Sequence, residues 1–263
     1  MRSFFKIFLI SAIFLCPFFH PAHSKANTDN FPTPGNTFEY KTSSTSLRIE
    51  FCSPTMLRIR ISPNGQFQPD EHYVVAKYDW PKIDINQKDE GNYTKLSTGK
   101  ITVRIYKNPL CIALYDKENK KAINIDKTAA SFEGDSVKCT KQLIAGEHFF
   151  GFGERMDCMD RLGKSVTLNV GRGQNKDNRL GAYNINKANY SPVPFFMSTK
   201  GYGLFFHTSY KSNWDMGNSS PDVYEFSAKG QELDYYLIYG PDFKDILNQY
   251  TDLTGKSPML PKV

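Results

Sequence analysis

The sequence has few cysteines and tryptophans, no Cys-x-x-Cys pair, and no long apolar run after its first two dozen residues. Without closely spaced thiols, a zinc site is not expected. A later membrane-spanning helix is not expected either, because it would need about 20 apolar residues. Glycine-rich phosphate-binding loops are incomplete: Cys158 stands where a loop ending in Gly163-Lys164-Ser165 needs a glycine. No cofactor and no metal site are predicted.

The chain also lacks a large net charge. The formal net charge is only +6, and the basic residues are scattered along the chain, so nucleic acid is not expected as a partner. Aromatic residues, in contrast, are abundant, with 20 Phe and 15 Tyr. Aromatic side chains favour pleated, half-buried surfaces. The composition therefore predicts a folded chain that is rich in strands.

Residues 1–24 have the features of a secretory signal peptide. Arg2 and Lys6 provide a charged start, and a largely apolar stretch follows. Ala22 and Ser24 are small residues at the two positions that a signal peptidase requires. We therefore expect an exported protein, periplasmic or secreted, with no membrane span after the signal is cleaved.

The rest of the chain is predicted to form mainly short strands. Residues 25–36 are polar and contain Pro32 and Pro34, which predicts a linker. Beyond them, alternating apolar and polar residues predict strands with one buried face. The predicted strands are 47–51, 56–61, 72–78, 100–106, 110–115, 137–144, 165–170, 193–199, 203–209, 223–228 and 232–239. Many strands with short turns favour an all-β fold, an antiparallel β-sandwich.

One helix is predicted near the C-terminal end. Pro241 is expected at its first position and Gly255 at its end. Apolar residues recur between them at helical spacing, at Phe243, Ile246, Leu247, Tyr250 and Leu253.

Four cysteines remain after the predicted signal: Cys52, Cys111, Cys139 and Cys158. Export permits any of their three possible pairings. Buried free thiols remain an equal alternative, because Cys52 and Cys111 lie within apolar strand-like runs.

A dense stretch of glycine, aromatic and charged residues spans positions 149–163. Glu154 and Asp160 are candidates for acid–base chemistry, since sugar hydrolysis uses paired carboxylates. The alternative is a charge-paired turn with Arg155 and Arg161. We favour the turn, because acids beside arginines usually stay ionised and serve structure.

The same stretch carries a family resemblance. Phe149-Phe150-Gly151-Phe152-Gly153-Glu154, followed by Asp160-Arg161-x-Gly163, resembles the F-Y-G-L-G-E … D-R-x-G signature of glycoside hydrolase family 31. Further matches follow in register at 190–196, 201–206, 214–217, 232–241 and 250–255, whereas residues 37–147 match only in pattern. The resemblance implies a structural role for Gly151, Gly153, Glu154, Asp160 and Arg161.

The resemblance also implies a domain organisation. Residues 37–256 would be the family's N-terminal sandwich, of the galactose-mutarotase-like supersandwich type. Residues 257–263 would begin a linker to a (β/α)₈ barrel that this sequence does not include. In that family the barrel carries both catalytic aspartates, so no catalytic residue is expected here. The implied partners are that barrel, in cis or in trans, and an α-linked oligosaccharide.

A loop at 172–189 is the expected contribution to substrate recognition. Where the family often has an aspartate that reaches the sugar, this sequence has Gly171. Arg172, Asp177 and Tyr183 are therefore the candidate substrate-binding residues, because sugar hydroxyls favour polar partners and an aromatic platform. A solvated surface loop is an equal alternative.

Two other functions stay open at this point. A free-standing carbohydrate-binding module would bind sugar without any barrel. A mutarotase-like sugar epimerase would use His148, His207 and Glu232 as acid and base.

Overall fold

The computed structural model describes residues 31–32, 35–171 and 189–258, and the structural statements below concern this part of the chain. Eighteen strands lie within it. They are β1 (Phe31–Pro32), β2 (Thr37–Lys41), β3 (Ser46–Ser53), β4 (Met56–Ser62), β5 (Asn86–Asp89), β6 (Tyr93–Ser97), β7 (Ile101–Lys107), β8 (Leu110–Asp116), β9 (Ala122–Ile125), β10 (Ser131–Glu133), β11 (Ser136–Gln142), β12 (Phe149–Glu154), β13 (Ser165–Leu168), β14 (Ser191–Ser198), β15 (Tyr202–Phe206), β16 (Ser212–Asp215), β17 (Val223–Lys229) and β18 (Leu233–Tyr239). The helix α1 spans Phe243–Thr254.

The strands form three sheets. The large sheet has eight strands in the order β1-β2-β3-β4-β18-β15-β14-β12. Two five-stranded sheets have the orders β10-β11-β17-β16-β13 and β5-β6-β7-β8-β9. The last strand, β18, pairs antiparallel with β4 at the centre of the large sheet. The predicted all-β antiparallel sandwich with one C-terminal helix is confirmed.

Alternating side chains give the large sheet two different faces. In β4, Leu57, Ile59 and Ile61 belong to the main core, whose other apolar side chains come from all three sheets. Arg58 and Arg60 alternate with them and lie on the opposite face. We call this opposite face of the large sheet the outer face.

Helix α1 covers one end of the outer face. Ile246 and Leu253 are fully buried in a second, smaller apolar cluster there. The helix is capped by Asp242, whose Oδ1 accepts a hydrogen bond of 3.0 Å from Asp245 N. Pro241 therefore precedes the N-cap, and does not occupy the first helical position that the sequence predicted.

Two predicted segments differ in the structure. Residues 72–78 form no strand in the structure. They contact α1 and the side chain of Arg58 on the outer face instead of pairing with a strand. Val75 is fully buried beneath the helix, and Ala76 N donates to Leu253 O at 2.9 Å. Within the predicted linker 25–36, β1 pairs with β2 and so extends the large sheet.

The cysteines of the described residues are free thiols. Cys52, Cys111 and Cys139 are buried, and Cys158 is exposed. Burial raises the pKa of the Cys111 thiol to about 11, which keeps it protonated near neutral pH. No helix in this part of the chain is long and apolar enough to cross a membrane.

Candidate functional site

The glycine–aromatic stretch forms β12, which approaches β14 more closely than side chains allow. Gly153 has φ +79°, and a Cβ there would lie 1.9 Å from Ser191 O. A Cβ at Gly151 would lie 2.5 Å from Phe195 O. The register with β14 shifts between these two glycines. Glycine is therefore required by both the backbone conformation and the close approach.

Between the glycines, Phe152 points into the core. It has a positive φ of 71°, which is uncommon for a residue with a side chain. Its ring lies 5.0 Å from the Trp214 ring and 5.7 Å from the Phe196 ring. The stretch thus anchors the edge of the large sheet to the main core.

The charged turn after β12 is held by one aspartate between two arginines. Arg155 Nη2 donates to Asp157 Oδ2 at 2.9 Å, and Arg161 Nη1 donates to Asp157 Oδ1. Partial burial opposes ionisation of Asp157, but the two guanidinium groups lower the pKa of its carboxyl. Asp157 therefore stays ionised and fixes the shape of the turn.

Asp160 has a different set of partners. Its Oδ2 lies 2.6 Å from His148 Nδ1, and its Oδ1 accepts from Leu162 N at 3.0 Å. Partial burial opposes the effect, but these partners lower the pKa of Asp160. Glu154, the other candidate acid, is exposed to solvent. A lowered pKa is opposite to what a general acid near neutral pH needs.

The same turn lies at the base of the loop predicted to recognise substrate. Gly171 N donates to Asn189 O at 3.1 Å, and Asn189 N donates to Gly171 O at 2.8 Å. Arg155 Nη1 donates to the Asn189 side chain. This backbone bridge fixes the positions at which the predicted loop leaves the sandwich and returns to it. Arg172, Asp177 and Tyr183 lie outside the described residues.

A second charged group in the described part of the chain was not predicted from the sequence. It lies on the outer face and comprises Arg58, Arg60, Glu71, His207, Glu232 and Asp234, which we call the outer-face charge cluster. Arg58 donates to Asp234 twice, from Nε at 3.1 Å and from Nη2 at 2.7 Å. Arg60 Nη2 donates to Glu232 Oε1. Charged residues alternating with core residues in β4 and β18 are the signal that points to this cluster.

His207 is held between two carboxylates of this cluster. Its Nδ1 lies 3.1 Å from Asp234 Oδ2, and its Nε2 contacts Glu71 Oε1. Burial lowers the pKa of His207, but Asp234 and Glu71 outweigh burial and raise it above the ordinary value of 6.5. Both ring nitrogens face acceptors, so the protonated imidazolium satisfies both contacts.

The three residues considered for an epimerase are not brought together. His207 and Glu232 both belong to the outer-face charge cluster. His148 lies near the other end of β15, where its backbone oxygen accepts from Thr199 N at 3.1 Å. Among the residues that the structure describes, no group of three or more His, Cys, Asp or Glu side chains is arranged to hold a metal ion.

Comparison with known proteins assigns the fold to a family. Residues 46–215 match the model of the glycosyl hydrolase 31 N-terminal galactose mutarotase-like domain. Alpha-glucosidase 2 of Bacillus thermoamyloliquefaciens is 30% identical over 241 residues, which cover 90% of this chain and 30% of that protein. An isomaltosyltransferase of Sporosarcina globispora is 28% identical over 236 residues, which cover 82% of this chain and 20% of that protein.

A solved structure agrees with the sequence relatives. The family 31 dextranase of Flavobacterium johnsoniae, complexed with isomaltotriose, superposes with a TM-score of 0.79 at 27% identity. The match covers 90% of this chain and 29% of the dextranase chain. This chain thus spans less than a third of the length of each of these three proteins. The fold, the bulged glycine–aromatic strand and these matches agree that the chain belongs to glycoside hydrolase family 31, in the region of its N-terminal galactose mutarotase-like domain.

Proposed function

We propose that this chain is the substrate-loop domain of an exported family 31 α-glycosidase that acts on α-linked oligosaccharides. The relatives support the substrate class by their names, which include alpha-glucosidase, alpha-xylosidase and isomaltosyltransferase. In this proposal the sandwich packs against a (β/α)₈ barrel, in cis or in trans, and the barrel supplies both catalytic aspartates.

The observation that carries the proposal is the backbone bridge between Gly171 and Asn189. Two hydrogen bonds join Gly171 and Asn189, which bound the predicted loop, at the edge of the sandwich. Long loops in compact domains are uncommon unless they are functional or disordered. Arg155 contacts both Asp157 of the charged turn and Asn189, so the turn within the signature region positions the end of the loop. Arg172, Asp177 and Tyr183 would provide the polar and aromatic contacts to the sugar.

The chain itself is proposed to hydrolyse nothing. Retaining hydrolysis needs two carboxylates about 5 Å apart, one of them protonated and one ionised. The acids of the turn do not meet this need, because Asp157 and Asp160 have lowered pKa values and structural partners. Assays of the 263-residue chain with aryl α-glucosides and α-xylosides should stay at buffer level. Turnover that is lost on Asp160→Asn would contradict this part of the proposal.

Export is proposed from the charged start, the apolar stretch and the small residues of positions 1–24. N-terminal sequencing of the exported protein should begin at Lys25 or Asn27. The variant Ala22→Asp should block the cleavage that gives Lys25 as the first residue, because a signal peptidase needs a small uncharged residue three positions before the cut. A mature protein that retains Met1 would contradict export.

The loop is tested in an enzyme that joins this domain to a family 31 barrel. Arg172→Ala, Asp177→Ala and Tyr183→Ala should each lower kcat/KM by about threefold to a hundredfold, since one polar contact contributes roughly 0.5–3 kcal/mol. Melting temperatures should not change. The exposed turn between β8 and β9 offers Glu118→Ala and Lys120→Ala as controls. If all three loop variants match the parent, the loop is only a solvated connection.

A further inference from the structure

The outer face carries a cleft that the proposed function does not use. Its volume is about 710 Å³, within the range of roughly 300–1,000 Å³ that is usual for small-molecule sites. It lies beside the segment between β4 and β5 and the segment that follows β15. Residues of the outer-face charge cluster and two exposed tyrosines line it: Arg58, Glu71, His207, Glu232, Asp234, Tyr73 and Tyr210.

The charged part of the cleft is fixed in place. Arg58 is buried, and besides its two hydrogen bonds to Asp234 it donates from Nη1 to Asp70 Oδ1 at 2.6 Å. His207 contacts Asp234 and Glu71. Each charged side chain is thus oriented by a partner of opposite charge. Such a set presents donors and acceptors in a fixed geometry, which is what recognition of a small polar ligand needs.

One carboxylate oxygen in this lining, Oε2 of Glu232, lacks a hydrogen-bond partner among the described residues. The Glu232 side chain is only 8% exposed. Its Oε1 accepts from Arg60 Nη2 and from Gln68 N. Its Oε2 is buried and has no hydrogen-bond partner among the described residues. Buried polar atoms are normally hydrogen-bonded, so a small turn of this side chain toward the cleft would bring its unpaired oxygen to a hydroxyl donor.

The rim of the cleft is apolar and exposed. Tyr73 is 91% exposed and Tyr210 is 60% exposed, and the exposed Val74 and Val170 also line the cleft. Single exposed apolar side chains are ordinary, whereas several around one cleft mark an interaction site. A pyranose ring matches both parts, because its C–H face packs on an aromatic ring while its hydroxyls bond to carboxylate, imidazole and guanidinium groups.

We propose that this cleft binds carbohydrate through the chain's own residues, with Tyr73 and Tyr210 as the stacking platform and Glu232 as an acceptor for a sugar hydroxyl. The ligand class is an α-linked glucose oligosaccharide, and this choice rests on the proposed function. The residues named for binding all belong to this chain, so the proposal requires no residue of a barrel.

The test is a calorimetric titration of the 263-residue chain with isomaltotriose and with maltotriose. Saturable binding is expected. Tyr73→Ala and Tyr210→Ala should each weaken it by about two- to tenfold, which corresponds to a stacking contribution of roughly 0.5–1.5 kcal/mol. Both side chains are exposed, so the melting temperature should stay at the parent value. Leu247→Ala is the control, since Leu247 is exposed on α1 and does not line the cleft.

The outcomes separate this proposal from the loop proposal. Absence of saturable binding, or binding that neither tyrosine variant changes, overturns the carbohydrate cleft and leaves the kcat/KM test of the loop intact. A second experiment uses an enzyme that contains the barrel. If the tyrosine variants weaken the contact between the two domains but leave the affinity for sugar unchanged, the cleft is a contact with the barrel, and the carbohydrate proposal is overturned. Binding to the chain that both tyrosine variants weaken supports it, whatever the loop variants do.

Discussion

Lys141 and Asp126 form an ion pair inside the main core, with Lys141 Nζ 2.6 Å from Asp126 Oδ1 and both side chains buried. Lys141 lies in β11, and its Nζ also contacts Tyr235 OH of β18 at 3.0 Å. Asp126 Oδ2 accepts from Ile112 N of β8 at 2.7 Å. One pair thus connects all three sheets. Burial lowers the pKa of Lys141, but Asp126 outweighs burial and raises it, so the lysine stays charged.

Removing the lysine should destabilise the fold strongly. Lys141→Met leaves the Asp126 carboxylate buried without its counter-charge, which typically costs about 3–5 kcal/mol of the free energy of unfolding. Urea denaturation of the two proteins measures the difference. Lys229→Met is the matched control, because Lys229 pairs with Asp135 at 2.8 Å on the exposed surface. That control should unfold like the parent. Equal midpoints for the parent and Lys141→Met would show that the core pair contributes nothing.

His207 should make stability depend on pH. Its pKa in the folded protein is raised above 6.5, its ordinary value when unfolded. A raised pKa means that its contribution is fully present below about pH 6.5 and is lost as the pH rises through the folded value. The stability difference between the parent and His207→Gln should therefore be largest in mild acid and shrink toward alkaline pH.

The measurement is urea denaturation of both proteins from about pH 5.5 to about pH 9. His72→Gln is the control, because His72 is exposed and takes part in none of the ion pairs found in the described part of the chain. Its pH profile should follow that of the parent. A difference between parent and His207→Gln that grows with rising pH would contradict the assigned contacts.

The close approach at Gly153 should tolerate no side chain. Gly153→Ala combines a left-handed backbone, which costs about 1–2 kcal/mol, with a Cβ 1.9 Å from Ser191 O. Gly163→Ala is the matched control, since Gly163 has φ +71° and no atom within 4 Å of the added Cβ. Thermal unfolding should show a much larger loss for Gly153→Ala. Similar losses for both variants would mean that the strand moves away from β14 at little cost.

Local pattern was enough to locate strands in which one face is buried. The predicted segments 47–51 and 56–61 lie within β3 and β4, and the predicted segment 232–239 covers β18. Their alternation has a direct cause, because the core fills one face and charged or aromatic groups occupy the other. The pattern at 72–78 looked the same but arose from contacts with a helix, so periodicity alone could not distinguish the two cases.

The outer-face charge cluster could not be predicted for a different reason. Arg58 and Asp234 are 176 positions apart in sequence and meet only because β4 and β18 are neighbours in the large sheet. Nothing near either residue specifies that pairing. The family signature at 149–163 could be found because its residues are close in sequence, although β12 pairs with β14 and Phe152 contacts Trp214.

The bridge between Gly171 and Asn189 uses only main-chain atoms for its two hydrogen bonds. These two bonds therefore do not depend on side-chain identity, provided that neither position becomes proline, which has no N–H to donate, and the Asn189 side chain adds a contact with Arg155. Insertions and substitutions between the two positions leave the closing contacts in place. Because loop closure becomes only slowly more costly with length, evolution can exchange the intervening segment for a longer or shorter one while the sandwich keeps its stability. Under the proposed function, selection on substrate preference and selection on folding would thus act on separate parts of the chain.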